Sequence, residues 1–140
     1  MRYEEVSIDN DNHSYWLGQI DYKIELSQSK TVLELKYIGE PPHGDSYHKL
    51  LINSKQVDGY FWGCNFIFPE KQRYVLCSWM KILFERKTIL IDINNMRYSI
   101  LAQYWYDYKI DNNVIIMGND KFAETKALFI NEIKDWITIT

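Results

Sequence analysis

The sequence has 140 residues, a formal net charge of −3 at pH 7 and 16% aromatic residues. A mildly acidic chain without a cluster of Lys and Arg is not expected to bind nucleic acid, because phosphate contacts require a basic patch. No apolar stretch is long enough for a membrane helix, and the first residues do not have the pattern of a signal peptide. We therefore expect one cytoplasmic domain over residues 1–140, with no membrane partner and with reduced cysteines.

The first strands are predicted from alternation. In residues 14–26, apolar side chains beginning with Trp16 alternate with polar ones, which indicates a half-buried strand. Residues 31–38 alternate in the same way, and the short polar segment between them predicts a hairpin. That hairpin places Lys23 opposite Glu34, so its outward charges are complementary while both apolar faces point the same way.

A loop is predicted over residues 39–49, which contain two prolines and two glycines, with a short strand following at residues 50–53. The loop carries three side chains that bind divalent metals in other proteins: His43, Asp45 and His48. They define a candidate metal site for a small metal-dependent hydrolase. The alternative is a solvated loop, since the spacing lacks the fixed geometry of a helical motif.

Residues 60–68 and 74–82 are apolar on both faces, which is typical of a central strand pair covered on both sides. If Ile67 lies opposite Tyr74, the strands form a hairpin that buries its rings and thiols. That register makes neighbours of two pairs: Trp62 with Trp79, and Cys64 with Cys77. We interpret both cysteines as buried apolar side chains, because no cation is near either in sequence.

Two more hairpins follow. Residues 88–101 form the clearest one, with a type I′ turn predicted at Asn94-Asn95. Residues 103–110 and 113–118 are predicted to pair as the last hairpin.

The period changes in residues 119–140, where Phe122, Phe129, Ile133 and Trp136 lie on one helical stripe. The stripe predicts an amphipathic helix packed on one face of a sheet. The predicted fold is therefore α+β and mainly β. It is an antiparallel twisted sheet or half-barrel of about seven to nine strands, built from successive hairpins and followed by one C-terminal amphipathic helix.

The best candidate for a binding surface is the aromatic run before the last turn. In a strand, Tyr104, Tyr106 and Tyr108 share one side, and Trp105 and Asp107 share the other. Tyr and Trp are enriched among the residues that dominate protein interfaces. The alternative is that the tyrosine row is covered by the helix or a loop, or is buried in a symmetric dimer.

The small size, the acidic balance, the many Tyr and Trp residues and the lack of a catalytic motif resemble bacterial toxin-immunity proteins. The resemblance implies a binding module without enzymatic activity or cofactor, which occludes the active site or substrate surface of a cognate toxin. A cationic toxin domain would then meet carboxylates that lie beside aromatic residues. The candidates are Glu4, Glu5, Asp9, Asp11, Asp107 and Asp111. A structural homo-oligomer is the remaining alternative.

Overall fold

The structure, a computed structural model, describes residues 3–9, 14–16, 18–42, 45–63, 65–119 and 122–140. Within these residues the chain is mainly β, and no helix is both long and apolar enough to cross a membrane. The elements before the midpoint are β1 Tyr3–Ile8, β2 Asp21–Leu26, β3 Thr31–Gly39, β4 Tyr47–Ile52, β5 Lys55–Gln56, β6 Tyr60–Trp62 and the single turn α1 Pro69–Gln72. They are followed by β7 Tyr74–Met80, β8 Lys87–Asp92, β9 Arg97–Ile100, β10 Asp107–Asp111, β11 Val114–Asn119, β12 Glu124–Leu128, a 3-10 turn at Ile130–Glu132, and β13 Ile137–Thr138.

The described strands form two sheets. The larger has ten strands in the order β1-β2-β3-β4-β6-β7-β8-β9-β13, with β5 beside β4, and the smaller has the order β10-β11-β12. Neighbouring strands are antiparallel except for β1 and β2, which pair in parallel. The prediction of a mainly β, antiparallel fold is confirmed, and the larger sheet remains open because its order ends at β1 and β13.

One hydrophobic core lines a single face of the larger sheet. It extends from Ile8 at the end of β1 through Ile24 and Trp79 to Ile139 after β13, and all four side chains are almost fully buried. The remaining members of this core come from the same sheet and its loops. The side chains of this sheet and of its loops thus exclude water from one another on that face.

A second core lies on the opposite face, between the two sheets. Leu76 and Leu90 of the larger sheet pack with Trp105 and Tyr108 of the segment that leads into the smaller sheet. The buried hydroxyl of Thr88 accepts the backbone N–H of Trp105 at 2.7 Å and donates to its carbonyl at 3.2 Å. The segment that leads into the smaller sheet is therefore held to the larger sheet in two ways. The rings of Trp105 and Tyr108 pack on its apolar face, and the Thr88 hydroxyl hydrogen-bonds the Trp105 backbone where no strand pairing does so.

The first predicted hairpin is confirmed in register, with Lys23 opposite Glu34. Its first strand is shorter than predicted, because β2 begins only at Asp21. Upstream of it, Tyr15 forms an isolated bridge with Phe66 instead of continuing the strand. The alternation before residue 21 therefore does not correspond to a strand, and Trp16 lies on the surface, not on the inward face.

The predicted register between the sixth and seventh strands is wrong. Phe61 lies opposite Trp79, and Ile67 forms a bridge with Leu76, so extra residues bulge on the first strand between these two pairs. Asn65 in the bulge has a φ of 40°, a left-handed conformation that interrupts a strand. Gly63 and Asn65 in this stretch are residue types that tolerate irregular backbone, but the large apolar side chains around them gave the stronger signal and favoured an uninterrupted strand.

The shifted register separates the two tryptophans predicted to be neighbours. Trp79 lies in the core of the larger sheet, whereas Trp62 packs with Met80 on the other face. Cys77 is buried in the same core as Trp79, and Cys64 lies outside the described residues. The prediction that Cys77 acts as a buried apolar side chain is consistent with this position.

The hairpin of β8 and β9 has its predicted register, with Asp92 opposite Arg97. Its turn is different, because among the loop residues only Met96 has a positive φ, of 46°. Two consecutive left-handed residues occur instead at Asn112 and Asn113, with φ values of 50° and 62°, between β10 and β11. The type I′ turn therefore belongs to the last hairpin, where the loop has only two residues.

The predicted C-terminal helix is wrong. The tail adds β12 to the smaller sheet, with Thr125 opposite Gly118, and then adds β13 to the larger sheet. Phe122, with a φ of 66°, turns the chain so that its ring lies against Gly118, where there is no side chain in the way. The helical spacing was misleading because β11 offers an open edge, and pairing with it satisfies the tail's backbone groups.

Candidate functional site

The centre of the candidate site is a pair of exposed rings. Trp16 and Tyr106 lie with their ring centroids 5.9 Å apart, and they are 52% and 38% exposed. Trp16 belongs to the segment before β2, and Tyr106 directly precedes β10. Two large rings in contact with each other and with water are unusual outside binding surfaces, because each would be better buried.

Two asparagines hold the backbone at Tyr106. Asn119 accepts the N–H of Tyr106 at 2.8 Å through its Oδ1 and donates to the carbonyl of Tyr104 at 3.1 Å through its Nδ2. Asn65, which is buried, donates to the carbonyl of Tyr106 at 3.0 Å. Tyr106 lies before the first residue of β10, so these side chains supply the hydrogen bonds that a ladder would otherwise provide.

Asp107 directly follows Tyr106 in the chain. Asp107 is half-buried, and the Nδ2 of Asn65 lies 3.5 Å from its Oδ1. Burial raises the pKa of Asp107 above its ordinary value, because desolvation disfavours the charged form. A partly desolvated carboxylate gains more from a cationic partner than a fully hydrated one does.

The predicted row of three tyrosines is divided. Only Tyr106 is exposed, whereas Tyr108 lies in the core between the sheets. The hydroxyl of Tyr104 accepts hydrogen bonds from the Oγ of Ser78 at 3.1 Å and from Arg86 at 3.2 Å. The row has no common face because the strand begins at Asp107, later than predicted.

The acidic candidates lie on different sheets. Glu4, Glu5 and Asp9 are exposed on or just after β1, an edge strand of the larger sheet. Asp111 is exposed at the turn end of β10 in the smaller sheet. Asp11 lies outside the described residues. Of the acidic candidates, Asp107 is the one next to Tyr106 in sequence.

The described members of the candidate metal loop belong to different environments. Asp45 forms an ion pair with Arg86 at 3.0 Å, and the Arg86 guanidinium stacks over the Trp62 ring at 3.9 Å. His48 lies inside β4 and is fully buried. His43 lies outside the described residues. Over the described part of the chain, no group of three His, Cys, Asp or Glu side chains could hold a metal ion.

His48 is packed as a core side chain. Its Nε2 donates to the carbonyl of Ile20 at 3.1 Å, and the rings of Tyr22 and Tyr37 lie about it. Its Nδ1 has no hydrogen-bond partner among the described residues. Burial lowers the pKa of His48 below its ordinary value of 6.5, because desolvation outweighs the favourable hydrogen bond.

The fold and the site define a mainly β protein with an exposed aromatic pair at the point where the segments before β2 and β10 meet. Compared with known proteins, the chain matches no protein-family model, no curated protein and no solved structure. Sequence reasoning found Tyr106 and Asp107 but assigned Trp16 to a buried face. No local signal distinguishes Trp16, since its exposure follows from the late start of β2 at Asp21.

Proposed function

We propose that this chain is a non-enzymatic binding module for a protein partner, with Trp16, Tyr106 and Asp107 at the centre of its interface. The observation that carries the proposal is the exposed ring pair on a backbone held by two asparagine side chains. Trp and Tyr are the residues most enriched among interface positions that dominate affinity.

Preorganisation of the backbone supports this proposal. Ordering a mobile side chain at an interface costs roughly 0.5–1.5 kcal/mol. The bonds from Asn119 and Asn65 fix the backbone at Tyr106 before binding, so the entropy of ordering that segment is not lost again when the partner binds. Tyr and Trp also lose little further entropy, since each has only two side-chain torsions.

The partner we propose is a cationic toxin domain, which the chain neutralises by covering its active site or substrate surface. Two features support a cationic surface on the partner: the net charge of −3 and the partly desolvated Asp107 carboxylate. A Lys or Arg placed against Asp107 would restore the stabilisation that the carboxylate loses by burial. Complementary charge would also accelerate encounter at low ionic strength.

The experiment is coexpression of the chain with the product of the adjacent gene, scored by growth and by the dissociation constant of the purified complex. The proposal expects growth rescue and a stoichiometric complex. Replacing Tyr106 or Trp16 by Ala should weaken the complex by about tenfold or more, as for an interface hot spot. Asp107→Asn should weaken it mainly at low salt, because the lost interaction is screened by ions.

The matched control is Phe129→Ala, which removes a ring that is 50% exposed elsewhere on the surface. It should leave both rescue and affinity unchanged. The proposed interface would be contradicted by a partner whose surface at Asp107 is neutral or acidic. It would also be contradicted if neither Tyr106→Ala nor Trp16→Ala changed the dissociation constant of the complex. Rescue in the absence of any complex would contradict the proposed mode of action.

A further inference from the structure

A second surface surrounds the loop between β7 and β8, residues 81–86. Three consecutive side chains of this loop are largely exposed: Ile82 at 67%, Leu83 at 47% and Phe84 at 55%. Contiguous exposed apolar side chains are rare on monomers and usually mark an interaction surface. We call these three residues the apolar protrusion.

The backbone of the apolar protrusion is fixed and strained. Phe84 has a φ of 69°, which is rare for an aromatic residue because the left-handed region brings its Cβ close to backbone atoms. Two hydrogen bonds hold this conformation: Phe84 N–H to Met80 Sδ at 3.0 Å, and Glu85 N–H to the Ile82 carbonyl at 3.0 Å. Strain of this kind persists where the surrounding structure enforces it, often at binding sites.

The Phe84 ring is also anchored from one side. It lies 6.1 Å from the Tyr47 ring and 6.5 Å from the Trp62 ring, measured between centroids. Trp62 is in turn covered by the Arg86 guanidinium. The packing of the Phe84 ring on Tyr47 and Trp62 therefore holds the apolar protrusion in place on the surface.

An apolar cleft adjoins the protrusion. It has a volume of about 200 Å³ and is bounded by Ile82 on the loop, Ile100 at the end of β9 and Trp79 beneath. Its rim carries both signs of charge: Lys81, Lys87 and Glu85. Small-molecule sites typically have volumes of about 300–1,000 Å³, so this cleft suits an inserted side chain better than a ligand.

We propose that a second copy of this chain covers this surface, with the apolar protrusion of each copy contacting the cleft of the other. A two-fold contact requires one patch to be complementary to itself. This patch meets that requirement, because a protrusion and a cleft of matching apolar character lie side by side. Glu85 and Lys87 of the rim form an ion pair at 3.4 Å and remain about half exposed, so the rim presents charges of both signs and can exchange that pair for one with the second copy. The proposal goes beyond the binding function above and uses different residues.

The test is the molar mass of the full chain by light scattering and sedimentation velocity, from micromolar to millimolar concentration. The chain has a mass of 16.9 kDa, and twice that mass is expected at the upper concentrations. Leu83→Asp on the protrusion and Ile100→Asp in the cleft should each raise the dimer dissociation constant by about tenfold or more, since both bury a charge at the contact. Leu83 and Ile100 are 47% and 40% exposed in the monomer, and circular dichroism and thermal unfolding check that each variant is folded at the temperature of the measurement.

Phe129→Asp is the control, because it introduces the same charge at an exposed position outside the patch. It should leave the dimer intact. A mass near 16.9 kDa at every concentration would overturn the proposal, as would a dimer insensitive to both patch variants. Binding of the monomer to anionic lipid vesicles through Leu83 would also overturn it, by assigning the protrusion to a membrane surface. Loss of dimerisation with toxin binding retained separates this inference from the proposed function.

Discussion

The side-chain Nε2 of Gln72 donates to the backbone carbonyl of Ile8 across 2.6 Å in the protein interior. The Oε1 of the same side chain accepts the backbone N–H of Gln28 at 2.8 Å. Gln72 is the last residue of the strained turn α1, whereas Ile8 ends β1 at the edge of the larger sheet. One amide thus connects the edge strand β1, the turn between β2 and β3, and α1.

This connection predicts a large effect for Gln72→Leu, which keeps the approximate volume but removes both hydrogen bonds. The free energy of unfolding should fall by about 2–4 kcal/mol, because a buried polar group left unpaired costs roughly 1–3 kcal/mol. Urea unfolding followed by tryptophan fluorescence measures the change. The control is Gln28→Ala, whose exposed side chain bonds only the Asp9 carbonyl and should matter little. Equal stability of the two variants would refute the structural role of Gln72.

The turn α1 predicts a stabilising substitution. Glu70, Lys71 and Gln72 have φ values of 54°, 55° and 63°, so three successive non-glycine residues are left-handed. Each costs about 1–2 kcal/mol in that conformation, whereas glycine costs roughly 0.5–1 kcal/mol in unfolded-state entropy. Glu70→Gly should therefore raise the free energy of unfolding by about 0.5–1 kcal/mol.

The matched control for this turn is Glu70→Ala, which deletes the same exposed ion pair to Arg73 at 3.7 Å but keeps the strain. That pair contributes little, since both side chains are hydrated. Chemical denaturation of the two variants should place Glu70→Gly above and Glu70→Ala at or below the parent. The reverse order would show that the turn is not strained.

Burial of His48 predicts a pH dependence of stability. Because the folded-state pKa of His48 lies below its ordinary value of 6.5, the unfolded chain binds a proton there that the folded chain does not. The free energy of unfolding should therefore decrease as the pH falls from 6.5 towards the folded pKa, and it should be insensitive to this group above pH 6.5. His48→Gln keeps a donor for the Ile20 carbonyl but does not titrate, so its unfolding should lack this component.

The measurement for His48 has two parts. Thermal unfolding across this pH range compares the parent with His48→Gln, and NMR titration of the imidazole gives the pKa directly. An NMR pKa at or above 6.5 would contradict the burial of His48. An identical pH profile for parent and variant would assign the acid sensitivity to other groups.

The hydrogen bonds of Asn119 predict a local effect at the candidate site. Asn119→Ala removes the acceptor of the Tyr106 N–H and the donor to the Tyr104 carbonyl. Amide exchange at Tyr106 should become faster by about tenfold or more, because local opening no longer breaks a hydrogen bond. Gln103→Ala is the control, since its bond to Glu124 is on the exposed surface. Unchanged protection at Tyr106 would show that Asn119 does not order the ring pair.

Much of the β architecture could be predicted because its determinants are local. Complementary charges at Lys23 and Glu34 and matched apolar faces define one hairpin, and the same alternation defines the pairing of Asp92 with Arg97. A shift of one residue in either hairpin would turn the apolar side chains to the wrong face. The two-residue alternation of apolar and polar side chains is therefore enough to predict the register of these two hairpins.

The features that could not be predicted depend on contacts between distant segments. Asn65 is left-handed beside Phe66, which pairs with Tyr15 far along the chain, and Trp62 lies on the other face from Trp79. The tail forms strands because an open sheet edge is available, although its spacing favours a helix. In both places the local preference is weak and a non-local ladder satisfies more backbone groups.

The candidate site likewise has some features that the sequence predicts and others that depend on the tertiary structure. Its chemistry, with Tyr106 beside Asp107, is evident in the sequence, because aromatic and acidic residues adjoin there. The exposure of Trp16, its contact with Tyr106 and the buried state of Tyr108 were decided by tertiary structure. Residue order sets which side chains alternate, but only the packing of one sheet on another determines which alternating face meets water.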